Sequence, residues 1–107
     1  MAIQNTVLST GVAANVLVGG GNLGTATTTI YFCNKTVNIL TLNVYAVMNG
    51  FVANGNNIVY SNVSMTAGET LVLDVEKIFL GPGDMLQANC SGSGTNSVIA
   101  TVSSIGL

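Results

Sequence analysis

Hydrophobic and polar side chains alternate along much of this chain, which is the pattern of β-strands with one buried face. The clearest alternation covers residues 40–49 and predicts one inward face, made of Leu40, Leu42, Val44, Ala46 and Met48. A second alternation over residues 27–34 places Thr28, Ile30 and Phe32 on the inner face. We therefore expect two strands here, each with one face in a hydrophobic core.

Further strands of ordinary length are predicted at residues 6–9, 12–18, 58–64, 70–75, 85–90 and 97–105. Glycine, asparagine and proline cluster between them, and these residues favour turns. No segment has a sustained 3.6-residue period, so the only helical candidate is one turn at residues 76–80. The chain is predicted to contain seven to eight strands.

Val, Ile and Thr supply nearly a third of the chain, and β-branched side chains favour strands. We predict an all-β fold, with residues 1–107 forming a single-domain two-sheet antiparallel β-sandwich of jelly-roll or immunoglobulin-like type. Residues 1–10 could be an edge strand of this sandwich or an N-terminal arm that pairs with a neighbouring subunit. The glycine run at residues 19–24 could be a hinge. The predicted core consists of Ile30, Phe32, Leu40, Leu42, Val44, Leu71, Leu73, Leu86, Val98 and Val102, with Met48 and Met65 as core filling.

The amino-acid composition predicts an unusual surface with few charges. Hydrophobic residues make up 49% of the chain, its mean hydropathy is +0.61, and its net charge is −2. Only six side chains are charged: Lys35, Glu69, Asp74, Glu76, Lys77 and Asp84. The surface must be built mainly from Asn, Thr and Ser, without the charge repulsion that keeps soluble proteins apart. We expect such a chain to associate.

The missing residue types argue against most chemistry. There is no His, Arg or Trp, so the usual general base, phosphate fork and metal ligand are absent. The carboxylates show no calcium-loop spacing; we interpret Asp74, Glu76 and Lys77 as a solvated rim and Asp84 as the cap of its turn. The glycine run lacks the Lys-Ser/Thr and helix of a phosphate loop. We therefore predict no catalytic, cofactor-binding or metal site, no enzymatic activity and no nucleic-acid partner.

Two cysteines, Cys33 and Cys90, fit buried free thiols better than a disulfide, which remains an alternative. Asn-X-Ser/Thr triplets at Asn34, Asn62 and Asn89 are interpreted as chance, because residues 1–10 lack the features of a signal peptide. No apolar run suits a membrane helix. Tyr31, Tyr45 and Tyr60 recur about once per hairpin. They could cover sheet margins or contact a glycan or a protein partner.

Six segments together resemble small β-sandwich structural proteins of tailed bacteriophages. These segments are residues 29–34 (TIYFCN), 44–50 (VYAVMNG), 67–70 (AGET), 76–78 (EKI), 83–88 (GDMLQA) and 98–103 (VIATVS). The resemblance extends over about residues 27–105 and consists of framework residues, so it carries over no binding site. It implies a virion component, such as a capsid decoration (cement) protein or a building block of necks, baseplates and fibres.

These considerations lead to one main functional hypothesis and two alternatives. The main one is a capsid decoration protein, made in the host cytoplasm and located in the virion. Its partners would be other copies of itself, with a trimer as one candidate form, and virion proteins such as the major capsid protein. One alternative is a neck, tail, baseplate or fibre component. The other is a carbohydrate-binding host-adhesion module that uses tyrosines on one sheet face and the Asn-rich loop at residues 49–57.

Overall fold

The computed structural model describes residues 2–8, 12–73, 78–91 and 98–107. Within them the chain forms nine strands and no helix. The strands are β1 (Ala2–Leu8), β2 (Ala14–Val18), β3 (Thr25–Asn34), β4 (Leu40–Val47), β5 (Ile58–Met65), β6 (Thr70–Leu73), β7 (Phe79–Leu80), β8 (Met85–Ser91) and β9 (Val98–Gly106). The described part of the chain therefore has no helix that could span a membrane.

The strands form two antiparallel sheets that pack face to face. Sheet A has the order β1-β9-β3-β6, with β7 paired to the start of β3, and sheet B has the order β2-β8-β4-β5. The strands pair from the outside of the sequence inward, as β1 with β9, β2 with β8, β3 with β6 and β4 with β5. This nested antiparallel order is that of a jelly roll. The all-β sandwich is confirmed, and its connectivity distinguishes the jelly roll from the immunoglobulin-like alternative.

The expected strand count of seven to eight was too low because of β7. A helical turn was predicted at residues 76–80; residues 76 and 77 lie outside the described range, and the rest of the segment is extended. Ile78 is hydrogen-bonded to Thr27 near the start of β3. The Thr27 N–H donates to the Ile78 carbonyl at 2.9 Å, and the Ile78 N–H donates to Thr27 Oγ1 at 2.9 Å. Pairing with β3 satisfies backbone groups that a helical turn would otherwise have satisfied internally.

The core lies between the two sheets, and most of the residues that the alternation predicts to be inside are buried there. Eight of the ten predicted core residues are buried: Ile30, Phe32, Leu40, Leu42, Val44, Leu86, Val98 and Val102. Leu71 and Leu73 pack against this core but are only partly buried, because β6 is an edge strand. Met65 is fully buried, as predicted, whereas Met48 is 60% exposed. The inner face changes before β4 ends, since the register with β5 shifts between Val44 and Tyr45. Val47 is buried and Ala46 only partly buried, so the alternation predicts the wrong face from there onward, and Met48 lies beyond the strand.

A β-bulge overturns one predicted face. In β3 the register with β9 shifts between Thr27 and Thr29, so Thr27 is buried and Thr28 is not. Thr28 instead donates its hydroxyl to the Ser103 carbonyl at 3.0 Å. One extra residue in a strand exchanges the faces on either side of it. The predicted inner position of Thr28 was therefore wrong, while Ile30 and Phe32, beyond the bulge, were predicted correctly.

The N-terminal segment has a place in the chain's own sheet. Residues 2–8 pair with β9 in an uninterrupted register, and Leu8 is fully buried in the core. In a single chain this segment is thus an edge strand. Exchange of the segment between assembled subunits stays a prediction, and residues 1, 9 and 10 lie outside the described range.

Asn34 is fully buried and links the ends of several strands. Its Nδ2 lies 2.9 Å from the carbonyl oxygen of Asn38, 3.2 Å from that of Met65 and 3.0 Å from that of Thr66. Its Oδ1 accepts the N–H and the hydroxyl of Thr36, at 3.0 and 2.7 Å. One amide thus fastens the end of β3 in sheet A to the end of β5 in sheet B. These contacts also occupy the nitrogen that a glycan would need at this triplet.

We expect Asn34→Ala to destabilise the fold by about 2–4 kcal/mol, because it removes all the hydrogen bonds that a fully buried amide makes to the carbonyls of residues 38, 65 and 66 and to Thr36. Chemical denaturation monitored by circular dichroism measures this. The matched control is Asn56→Ala, at an exposed loop position, which should change the free energy of unfolding by less than about 0.5 kcal/mol. Equal stability of the two variants would contradict the role given to Asn34.

Leu42→Ala should cost about 2–5 kcal/mol, since it removes a fully buried side chain from the centre of β4. Met48→Ala, in the same alternation but past the end of the strand, should cost less than about 1 kcal/mol. Thermal and urea unfolding of both variants tests the register. A melting temperature for Leu42→Ala within a degree or two of the unmodified chain would show that the face assignment is one residue out.

Candidate interaction surface

The described charged side chains all lie in connections between strands. They are Lys35, Glu69 and Asp84; the predicted rim of Asp74, Glu76 and Lys77 falls outside the described residues. Asp84 accepts the Gly81 N–H at 3.0 Å and the Asn49 N–H at 2.9 Å. The predicted capping role of Asp84 is confirmed, and it extends to a second turn.

Glu69 is used in a similar way. Its carboxylate accepts the Thr66 N–H at 2.7 Å and the Thr66 hydroxyl at 3.2 Å. Both of these side-chain carboxylates thus accept hydrogen bonds from backbone N–H groups in turns. Among the described residues no three Cys, Asp or Glu side chains come together as metal ligands would.

The glycine run at residues 19–24 is anchored at its two ends. The Gly19 N–H donates to the Asp84 carbonyl at 2.8 Å, and the Gly19 carbonyl accepts the Gly83 N–H at 3.0 Å. A Cβ at Gly19 or Gly24 would collide with backbone carbonyl groups of the segment at residues 80–81. Gly24 also has a φ of +92°, which L side chains rarely adopt. Gly19 and Gly24 thus permit close backbone packing, whereas a Cβ at Gly20 or Gly21 would meet nothing within 4 Å. A hinge within the run stays a prediction.

The two cysteines are not bonded to each other. Cys33 lies on β3 in sheet A and is half-buried, whereas Cys90 lies on β8 in sheet B and is buried. Burial raises the pKa of the Cys90 thiol, because the thiolate would lose its hydration. The preference for free thiols over a disulfide is confirmed, although Cys33 is less buried than expected.

The three tyrosines do not share a surface. Tyr31 is 44% exposed on the outer face of sheet A. Tyr45 is half-buried on the outer face of sheet B, and Tyr60 packs against the core. A glycan platform built from tyrosines on one sheet face is therefore absent among the described residues.

The outer face of sheet A carries no charge in its described positions. Neighbouring residues on β1, β9, β3 and β6 form rows across the sheet. The rows are Val7, Ile99, Cys33 and Thr70, then Asn5, Thr101, Tyr31 and Val72, then Ile3, Ser103 and Thr29. Aliphatic groups and hydroxyls alternate here, a composition that can be buried without desolvating an ion.

The outer face of sheet B is also uncharged, but amides dominate it. The Asn43 Nδ2 donates to Asn89 Oδ1 at 3.0 Å, and the Gln87 Nε2 donates to Asn15 Oδ1 at 2.6 Å. The Thr41 and Ser91 hydroxyls are hydrogen-bonded to each other as well. Each amide pair uses one side-chain N–H and one side-chain oxygen, so amide N–H groups remain on this face to contact water or a partner. Charge is thus excluded from the described walls of the sandwich on both sides.

A cleft of about 340 Å³ lies beside the Asn-rich loop. It is lined by Ala46, Met48, Phe51, Asn54, Asn56 and Asn57. Two of its amides hold the loop itself, since Asn54 and Asn57 donate Nδ2 to the Val52 carbonyl at 3.2 and 2.8 Å. Among the lining groups, the Phe51 side chain, which is 59% exposed, and the Asn56 amide are therefore best placed to contact a ligand.

Thiol labelling tests the contrast between the cysteines. In the native protein we expect a maleimide to modify Cys33 and not Cys90, with a second thiol appearing only in denaturant. Mass spectrometry counts the labels. The variant Cys33→Ser should take up no label until it unfolds; rapid native labelling of that variant would contradict the burial of Cys90.

Comparison with known proteins finds no match to a protein family, to a curated protein or to a solved structure. Function must therefore be argued from the fold and from the chemistry of the surfaces.

Proposed function

We propose that this chain is a structural component of a tailed-bacteriophage virion, and specifically a capsid decoration protein that forms a homo-oligomer on the shell. The observation that carries the proposal is the absence of charge from the described positions on the outer faces of both sheets. The link to phages comes from the resemblance of the framework segments. The jelly roll agrees with this in kind, because viral capsid domains use it, although a fold alone does not define a function.

The physical argument concerns the cost of burying a surface. The chain exposes 5545 Å², and one protein contact of standard size covers about 800 Å² per partner. A decoration protein that contacts both the shell and its own copies loses a large share of so small a surface. Charged groups buried in this way would each cost several kcal/mol unless paired, whereas aliphatic groups and hydroxyls cost far less.

On this proposal the protein has no enzymatic activity and no cofactor. Its partners are its own copies and the major capsid protein, and its location is the virion. The neck, tail, baseplate or fibre placement uses the same surfaces, so it is distinguished by position on the particle rather than by chemistry. Antibody labelling of purified virions in the electron microscope separates these placements.

The carbohydrate-binding alternative rests on the cleft beside Phe51. Its support is weaker, because the tyrosines are dispersed and the Asn54 and Asn57 amides hold the loop. Glycan-array binding that disappears in Phe51→Ala, with the melting temperature unchanged, would favour it.

The proposal predicts saturable binding to capsids of the phage that encodes the chain. Co-sedimentation with capsids lacking decoration should reach a fixed ratio of this protein to capsid subunits, and light scattering should show an oligomer in solution. Pre-saturated capsids provide the control. A strict monomer at high concentration with no affinity for capsids would overturn the proposal.

A further inference from the structure

The four sheet edges differ in how well they are protected against pairing with another strand. In sheet B, β5 contains a bulge at which Asn62 has a φ of 52°, and β2 has a register shift between Asn15 and Leu17. In sheet A, the edge opposite β1 is divided between β6, which is described over Thr70–Leu73, and β7, which is only two residues long. Bulges and short strands are the usual means by which proteins block their edges.

The β5 bulge is also held in place. Opposite it, Asn43 Oδ1 accepts the N–H of Asn62 at 2.8 Å, so a backbone donor of the edge strand is satisfied within the chain. The bulge is thus a built feature of the fold, which makes the contrast with β1 informative.

The β1 edge has no such protection. It is seven residues long, and its register with β9 runs without interruption from the pair Ala2 and Ser104 to the pair Leu8 and Val98. Alternate residues of an edge strand direct their N–H and C=O groups away from the sheet. In the described part of the chain no backbone–backbone hydrogen bond from β1 reaches any segment other than β9; at the end of the strand, the Leu8 carbonyl also accepts the Cys90 thiol at 4.0 Å. Such a row of donors and acceptors is suited to one kind of ligand, another extended strand.

We propose that this edge pairs antiparallel with β1 of a second copy, around a two-fold axis through Asn5. The inference rests on the proposed homo-oligomer and names its interface. In this register Ile3 lies opposite the partner's Val7 and Val7 opposite the partner's Ile3, on the outer face of sheet A. Ile3 is 73% exposed and Val7 46% exposed in the single chain, and cross-strand aliphatic pairs stabilise a sheet.

The chemistry at the axis favours a second copy over an unrelated strand. The described residues of β1 and the adjacent β9 carry no charge, so two identical edges meet without repulsion. Asn5 Oδ1 already accepts the Thr101 hydroxyl at 2.8 Å, which leaves Nδ2 to donate across the axis. Pairing would also join two copies of sheet A into one continuous outer face that is uncharged at its described positions. The assembling unit is then a dimer, in place of the trimer considered from the sequence.

A charge at the axis tests this directly. Asn5→Lys and Asn5→Glu each place like charges opposite one another, so each variant alone should lose at least about tenfold in dimer affinity. An equimolar mixture of the two should restore a heterodimer, because opposite charges then face each other. Native mass spectrometry resolves the species, and analytical ultracentrifugation gives the dissociation constants. The matched control is Thr70→Lys, an exposed position on the opposite edge of sheet A, which should leave dimerisation unchanged.

A second measurement does not depend on charge. In a Cys33→Ser background, Asn5→Cys should form a cross-linked dimer on oxidation through the symmetric pair at the axis, while Thr70→Cys should not. Absence of that cross-link, or an oligomer that Asn5→Lys leaves intact, would overturn the inference.

Capsid binding separates this inference from the proposed function. A monomeric unmodified chain that still binds capsids would overturn the β1 pairing and leave the decoration role standing. If the amides of β1 became protected from hydrogen exchange only on capsid binding, the strand at this edge would belong to a shell protein, and the second-copy assignment would be wrong.

Discussion

Burial of one aliphatic face from each sheet is the interaction on which the rest of this structure depends. Seventeen of the described hydrophobic residues are buried, from Leu8 on β1 to Val102 on β9. Fully burying a side chain of this kind contributes about 1.5–3 kcal/mol, whereas ordering the backbone opposes folding at every residue. Neither cysteine forms a disulfide, and no three Cys, Asp or Glu side chains among the described residues come together as metal ligands would.

Neutral polar side chains connect the strands of this fold, as charged side chains do in many proteins. Asn34 connects the ends of strands from both sheets, Asn43 holds the bulge of β5, and Thr27 fastens β7 to β3. Buried amides and hydroxyls need only hydrogen-bond partners, whereas a buried ion also requires a counterion. The two described carboxylates, Glu69 and Asp84, are confined to turns, where backbone N–H groups receive them.

The small number of charged side chains also determines how the surface can associate. With ions excluded from the described positions on the outer faces of both sheets, association meets little desolvation cost and little repulsion. In the proposed dimer the sheet edges select the contact: bulges interrupt β2 and β5, β7 is two residues long, and β1 is regular over its seven residues. The proposed decoration role would use the outer faces of the sheets, and the proposed dimer would use the β1 edge.

Alternation and composition by themselves determined the fold class, the inner faces around Leu42, Phe32 and Val102, and the neutrality of the surface, because these depend on residue type and on the two-residue period of a strand. Only the tertiary structure decided where that period breaks. The faces are exchanged at the bulge at Thr28 in β3 and at the register shift between Val44 and Tyr45 in β4, and both depend on pairing with another strand. The buried role of Asn34 and the scatter of the tyrosines were decided in the same way, since a side chain's partners are set by which strands the jelly roll brings together.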